Sequence, residues 1–393
     1  MADIENAAFT YLVLKTLRRR RARRRRAQKL QLLQGRSEFG ESHQLPQELR
    51  LDDRSFQRYY RLSRPQFDDL LSRIGARITR QDIHSIPAAK RLSICLRFLA
   101  TGDSFKSIAS SFRVSESTVS SIIPDVAAVI WNSLVGEFMA VPTTEEWRSI
   151  AVEFEERWSY PLCCGAVDGK HVRLKPPPDS EFFNHKGEHS LVLLAVVDAR
   201  YRFRVIDVGG YGRMSDGGIL ANSAFGQALL EDTLQLPQDL NLPGADDRGL
   251  LPHVFVASEA FPVRKHMMRP FPGRGRRPLE ERVFNHRLSH ARQVVENAFG
   301  IWTSQWRMFL RRLEIHPEDA EKCVKATCLL HNFMRATAPE HVPGACEDGA
   351  HEEPLPGVGR IGSNNGSREA LRVREAFKAY FNEEGAVSWQ PIQ

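Results

Sequence analysis

Two carboxylates and one hydroxyl in this chain of 393 residues lie where strands and a helix can bring them together. Asp168 closes an apolar run in GAVDGKH, and the glycine after it is expected to leave the carboxylate open to solvent. Ser258 follows Val254, Phe255, Val256 and Ala257, a buried strand that turns at Pro262. Glu296 lies mid-helix in ARQVVENAFG, beside Val294, Val295 and Phe299. A carboxylate on the apolar flank of a helix is costly unless a cation or a metal answers it. Strand-end and helix acids that converge can hold divalent ions through hard oxygen ligands. Two such ions roughly 4 Å apart activate water and stabilise the leaving oxygen in phosphodiester cleavage. Plainer readings stay open on the residues alone. A strand-end Asp often caps a turn, and Arg292, one helical turn before Glu296, would satisfy it without metal.

The elements that must position these groups follow from the residue pattern. LCCGAVDGKHVRLKPP reads as strand, turn, strand, and SLVLLAVVDARYRFRVIDVGG as two strands joined by a turn at Asp198–Tyr201. SDGGILANSAFGQALLED reads as one helix capped by Ser215 or Asp216, where a cap is also the simplest account of Asp216. A Pro/Gly-rich excursion at 236–252 leads to a strand at 253–257, a basic loop, and the helices NHRLSHARQVVENAFGIWTSQWRMF and PEDAEKCVKATCLLHNFMRA. Early strands followed by a β-α-β-α order predict an α/β domain, one mixed sheet flanked by helices. Within the second helix, His331 reads as a hydrogen-bonded core residue. Residues 336–367 are rich in Gly, Pro, Glu and Asn, which predicts disorder, and SREALRVREAFKAYF is an amphipathic helix able to pack back onto the body.

Upstream, apolar residues at three- and four-residue spacings predict helices over 52–78. SFKSIASSFRVSESTVSSII at 104–123 has helix-turn-helix form, and an ordinary helical hairpin is the competing reading. Ile108, Ala109 and Phe112 form one buried edge, Arg113 and Val114 the turn, Ser115 the N-cap, and Val119, Ile122 and Ile123 the second anchor. Its exposed Ser117, Thr118, Ser120 and Ser121 are small enough to approach bases or phosphates, although this helix carries hardly any Arg or Lys.

Composition bounds the function. Apolar content of 42% and charged content of 26% suit a soluble globular protein of two domains. The longest apolar runs, such as LVLLAVV, fall far short of a membrane span, so no membrane partner is expected. The six cysteines show no C-x-x-C spacing, which points to a reduced intracellular protein, with Cys163 and Cys164 as core packing. A net charge of +7 is concentrated in RRRRARRRR at 18–26, that is Arg18, Arg19, Arg20, Arg21, Arg23, Arg24, Arg25 and Arg26. Like charges at nearly every position make this a solvated arm that can serve both as a nuclear-import address and as a phosphate-binding arm. The positive block follows the apolar FTYLVLKTL, the reverse of a secretory leader. A second basic set, Arg264, Lys265, Arg274, Arg276 and Arg277 with His266 and Arg269, lies in the loop after the Ser258 strand, where it can hold backbone phosphates near the site or simply be solvated. His185, Lys186 and His189 are phosphate contacts or plain surface.

Six blocks in one order over about 165–335 give the chain a specific resemblance: GAVDGKHVRLKPP, FNHKGEHSLVLLAVVDARYRF, GRMSDGGILANS, FVASEAFPVRKHMMRPFPG, NHRLSHARQVVENAFGIWTSQWRMF and LLHNF. Together they resemble the PIF/Harbinger-type DDE transposases and their domesticated nuclease-like descendants. The resemblance implies an RNase H-like catalytic domain, here over 160–335, and the helical domain with the helix-turn-helix over 48–150 fits it; the residue pattern adds a basic arm and linker over 1–47, expected to be disordered, and a flexible linker with a C-terminal helix over 336–393. It implies an Asp-Asp-Glu site holding Mg2+ or Mn2+ for cutting DNA, with Asp168 as the first acid and Glu296 as the last. The second acid falls on Ser258, a neutral hydroxyl, so cleavage is expected to be weak or lost; Glu259 beside it should face the other side of the strand. The alternative is a DNA- or chromatin-binding adaptor without catalysis. The resemblance also implies a Myb-like partner protein and the nucleus as the main compartment, with the cytoplasm as a second.

Overall fold

The computed structural model describes residues 52–80, 85–175, 189–211, 216–273, 277–337, Leu355 and 366–390. The arm at 18–26, the linker at 34–47, His185, Lys186, Ser215, Arg274 and Arg276 lie outside the described residues, as does the side chain of Asp216. The chain forms two compact units. One runs to Phe98 and includes Asp103–Asp125; the other takes Leu99–Gly102 and everything from Val126.

The first unit is helical: α1 (Asp53–Tyr60), α2 (Arg64–Ile78), most of α3 (Ala88–Thr101), α4 (Phe105–Phe112) and the start of α5 (Glu116–Phe138). Side-chain caps set the starts. Asp52 accepts the amides of Arg54 and Ser55, and Ser63 forms a reciprocal capping box with Gln66. Phe56, Tyr60 and Phe67 then pack ring against ring in the core. The segment 104–123 has the helix-turn-helix form expected. Ile108, Ala109 and Phe112 are buried, Arg113 takes a left-handed φ of 49°, and the Ser115 hydroxyl accepts the Thr118 amide at 3.2 Å. Helix α5 is the one described helix long and apolar enough, by composition, to cross a membrane. Its Val119, Ile122, Ile123, Val126, Ile130 and Leu134 are instead buried within the protein.

The second unit carries the sheet. Helix α6 (Thr144–Trp158) opens on a Thr143–Glu146 capping box and leads into β1 (Cys163–Arg173), β2 (Ser190–Val197) and β3 (Phe203–Tyr211), an antiparallel meander. Two short helices follow, α7 (Asp216–Asn222) and α8 (Ala224–Leu230), then β4 (Val254–Ala257) and β5 (Met267–Met268). Strand order is β3-β2-β1-β4-β5, with β4 parallel to β1 and β5 parallel to β4. Helices α9 (Leu279–Gln305), α10 (Pro317–Thr337) and α11 (Arg368–Asn382) complete the unit.

Three local readings are corrected. The strand-turn-strand expected at 162–177 includes a single strand of eleven residues, because Gly169 and Lys170 keep their pairing with Leu194 and Leu193. The single helix expected after Ser215 is two, split where Ser223 caps α8 by accepting the Gly226 amide at 2.9 Å. A Cβ at Gly226 would stand 1.7 Å from the Leu220 carbonyl oxygen, so only glycine permits that corner. The basic loop after Ser258 contains β5, whose methionines are fully buried.

Helices α9 and α11 pack together around one buried cation. Arg287, 2% exposed, donates to the Gly385 carbonyl at 2.7 Å, to Gln390 Oε1 at 3.2 Å and to the Ser159 carbonyl, with its guanidinium 4.4 Å from the Phe381 ring centre. The C-terminal helix therefore does pack back, and Tyr160, Phe377 and Phe381 fill the space beneath it. On the far side, His331 in α10 donates from Nε2 to the Tyr201 carbonyl at 2.7 Å and tilts against Phe203. Burial pulls its pKa from 6.5 down to about 4. A base depressed in the fold stabilises it fully above the unfolded value and loses that contribution as pH falls from 6.5 toward 4. Stability should therefore drop by about 3 kcal/mol across that window. In His331→Gln, which still donates to Tyr201, urea denaturation at stepped pH should show a distinctly flatter profile.

Candidate active site

The register of β4 on β1 builds the site. Cys163 pairs with Val254, Gly165 with Phe255, Ala166 with Val256 and Val167 with Ala257, where the pairing ends. Carried one residue further, it sets Ser258 beside Asp168. Beyond that point β1 continues along β2 and meets Leu313 only at its end, where the Arg173 carbonyl accepts the Leu313 amide at 3.0 Å, so Asp168 stands at the first notch in the β4 side of the strand. Asp168 is thus not at a strand end, and it is 6% exposed rather than open to solvent. Pleat alternation gives Asp168 and Lys170 one face, and Gly165 and Val167 the other. Phe255, the partner of Gly165, meets Trp147 of α6 and Phe225 of α8. The Asp168 face belongs to α9, since Lys170 Nζ lies 5.4 Å from the ring centre of Phe299. Glu296 precedes Phe299 by three positions, so both lie on one side of that helix.

Both acids already have cations. Lys170 Nζ is 3.3 Å from Asp168 Oδ2, in a pair whose side chains are 16% and 9% exposed. Arg292 donates to Glu296 Oε1 at 2.6 Å, one helical turn away, with the Glu296 side chain 36% exposed. Ser258 opens a turn closed by the Phe261 amide on its carbonyl at 3.2 Å, and its hydroxyl accepts the Ala260 amide at 3.4 Å. Glu259 is exposed on that turn, and Arg269 holds its backbone carbonyl at 2.9 Å. Lys170 was missed in the sequence, yet the signal was there: two residues after Asp168 on a strand is the same face.

The basic loop divides. A crossover between parallel strands must return to their starting edge, and the pairing shows it: the His266 carbonyl accepts the Phe255 amide at 2.9 Å, and His266 Nδ1 meets the His253 carbonyl at 2.8 Å. Arg264, Lys265 and His266 therefore lie at the N-terminal end of β4, one strand length of about 13 Å from Ser258, and not beside it. Arg269, expected among the phosphate contacts, is 4% exposed and bound to the backbone. Arg277 is half-buried on the segment entering α9. His189 is buried, its carbonyl accepting the Leu174 amide at 2.8 Å.

Asp198 is fully buried in the β2–β3 turn, accepting the amides of Arg200 and Arg202 and the side chains of Arg202 and Arg204 at 2.8–2.9 Å. It is a structural cap. Cys163 and Cys164 are buried, and burial pushes the Cys163 thiol up to about 12, as expected of core packing.

A pair of divalent ions asks for several anionic oxygens converging on one point. Here two carboxylates, each paired with its own cation, and a neutral hydroxyl supply that ligand set, and no group of three His, Cys, Asp or Glu placed to hold a metal occurs among the described residues. The residues present do not fit a two-metal centre. Asp168 depends on Lys170 instead. Removing one partner of a nearly buried pair strands the other, so Lys170→Met should cost about 2 kcal/mol in urea denaturation. Adding Asp168→Asn should recover most of that loss; full additivity of the two changes would show the pair to be uncoupled.

Comparison with known proteins places this geometry. Residues 167–332 match the family model of the DDE superfamily endonucleases. The chain is 26% identical over 295 residues to the Arabidopsis thaliana protein ALP1-like, covering 72% of this chain and 71% of that one. It is 26% identical over 297 residues to Arabidopsis thaliana Antagonist of Like Heterochromatin Protein 1, covering 72% and 73%. It is 24% identical over 308 residues to the candidate nuclease HARBI1 of Homo sapiens, covering 75% and 82%. No solved structure matches it significantly. The matched segment runs through most of the strands and the helix that hold Asp168 and Glu296, and makes the chain similar to the DDE superfamily endonucleases and to the Harbinger transposase-derived proteins ALP1-like and HARBI1.

Proposed function

We propose that this protein is a DNA-binding descendant of a Harbinger transposase whose phosphodiester cleavage is weak or lost. One observation carries the reading: the position next to Asp168 is Ser258, so the acids number two, and both are ion-paired. Charge supplies most of the binding of a divalent ion, and a hydroxyl cannot replace it. DDE superfamily endonucleases use divalent metals; in this chain Asp168 and Glu296 are the residues that would face Mg2+ or Mn2+, and with Lys170 on one and Arg292 on the other, metal-assisted turnover is not the favoured activity. Glu259 is no ready substitute, because it is exposed on the turn beyond the strand.

DNA association rests on the family and on the arginine arm, which would serve both phosphate contact and nuclear entry. A Myb-like partner belongs to the same proposal, motivated by a helix-turn-helix whose exposed face is serine and threonine rather than arginine; pull-downs that never recover such a protein would count against it.

Two outcomes are expected. With Mg2+ or Mn2+, the unaltered chain should leave plasmid and terminal-repeat DNA intact, whereas Ser258→Asp should cut it and Ser258→Asp with Asp168→Ala should not. Cleavage by the unaltered chain that Asp168→Ala abolishes would instead make the protein an enzyme. Deleting 18–26 should weaken duplex binding and flatten the slope of log affinity against log salt; an unchanged slope would remove the arm from the interface.

A further inference from the structure

Among the described residues Arg91, Arg269, Arg287 and Arg374 are buried, and three of them have acceptors. Arg91 reaches Asp125, Arg269 the Glu259 carbonyl, and Arg287 two carbonyls and a glutamine. Arg374 of α11, 7% exposed, has no hydrogen bond or ion pair at any of its nitrogens. Its Nε and Nη1 are fully enclosed, which leaves Nη2 as the nitrogen that meets solvent. The guanidinium lies over the Phe271 ring, 4.0 Å from its centre, with Lys378 Nζ 5.4 Å from the same ring. A guanidinium on a ring face keeps its N–H edge for an oxygen. Burial lowers the Arg374 pKa, and Glu375 and Glu281 raise it through space, Glu375 being itself bound to Lys378. An enclosed cation without a partner is a cost that an arriving anion would remove.

The surroundings of Arg374 are fixed in advance. The Asn285 side chain of α9 accepts the Phe271 amide at 2.7 Å and donates to its carbonyl at 3.2 Å, and the Phe271 ring meets Phe284 edge-on. Two residues on, Gly273 takes a φ of 123°, and the Arg277 guanidinium folds back to it: a Cβ there would stand 3.7 Å from Nε and 3.8 Å from Nη2. Arg277 Nε is likewise enclosed without a partner. Both guanidiniums thus border one stretch of chain at most about 7 Å long. Strand β5 runs parallel to β4, so the chain leaving Met268 emerges at the Ser258 end of the sheet, where Arg269 holds the Glu259 carbonyl. Two strand spacings, about 10 Å, separate it from β1 and Asp168. We propose that Arg374 and Arg277 form a phosphate site that holds one backbone phosphate of DNA beside the Asp168 end of the sheet. The inference rests on the DNA-binding reading above. Guanidinium forks match the geometry of phosphate oxygens. Position selects a nucleic acid as their source, since about 10 Å is three base steps along a duplex whose other phosphates would lie over the candidate site.

The test separates stability from binding, on the full chain. Arg374→Met removes an enclosed charge that has no partner, so its thermal unfolding midpoint should equal or exceed that of the unaltered chain. The same variant should bind a labelled duplex roughly tenfold more weakly in fluorescence anisotropy, whatever the duplex sequence. It should also reduce the slope of log affinity against log salt by about 0.9, the loss of one phosphate contact. Arg277→Gln, at a half-buried position, should weaken duplex binding in the same direction. Inorganic phosphate should raise the midpoint of the unaltered chain and leave that of Arg374→Met where it is. A lowered midpoint in Arg374→Met with duplex affinity and slope unchanged would overturn the proposal and make Arg374 a structural residue of α11. Phosphate protection of both proteins alike would overturn the site. If the unaltered chain binds no duplex, the DNA-binding reading itself fails; protection by phosphate that still requires Arg374 would then overturn DNA as the occupant and uphold the phosphate site.

Discussion

The parallel pairing of β4 with β1 governs the open end of the sheet. It fixes which residue of the Ser258 strand stands beside Asp168, and its early end gives Asp168 a side with no strand neighbour. A slip of one residue would turn every side chain of β4 to the opposite face, sending Phe255 away from Trp147 and Phe225. Because Phe255 is locked between those rings, the register is held by the core, and the neighbour of Asp168 is decided by packing on the other face. The architecture therefore does not depend on which side chain stands at position 258.

Charge is settled internally at most buried positions of this unit. Asp198 gathers two amides and two guanidiniums, Arg287 two carbonyls and a glutamine, Asp168 its lysine. Surface pairs such as Lys175–Glu314 contribute little in water. The buried ones differ: each is tolerable only while its partner remains, so they act as constraints on which conformations can exist. The Asp168–Lys170 pair belongs to this second kind.

Much of this was legible beforehand, and the misses have physical causes. A continuous apolar run exposed β2, turn residues exposed the Asp198 corner and so the start of β3, and three- and four-residue spacings exposed the first helices. The pairing of Arg292 with Glu296 could be foreseen because helix geometry makes it local. The continuity of β1 through Gly169 could not, since glycine is read as a turn unless a neighbouring strand is known to hold it. The break at Ser223 depends on a contact between Gly226 and the Leu220 carbonyl that no periodicity signals. The separation of Arg264 and Lys265 from Ser258 followed from β5, a two-residue strand too short to announce itself.

Strand order has one more consequence, in time rather than in space. β1, β2 and β3 are successive hairpin partners, whereas β4 must come back across roughly eighty residues to reach β1. Local pairings form at lower entropic cost than distant ones. The meander carrying Asp168 is thus favoured to assemble ahead of the strand carrying Ser258, and in a nascent chain the aspartate meets its lysine before it meets its serine.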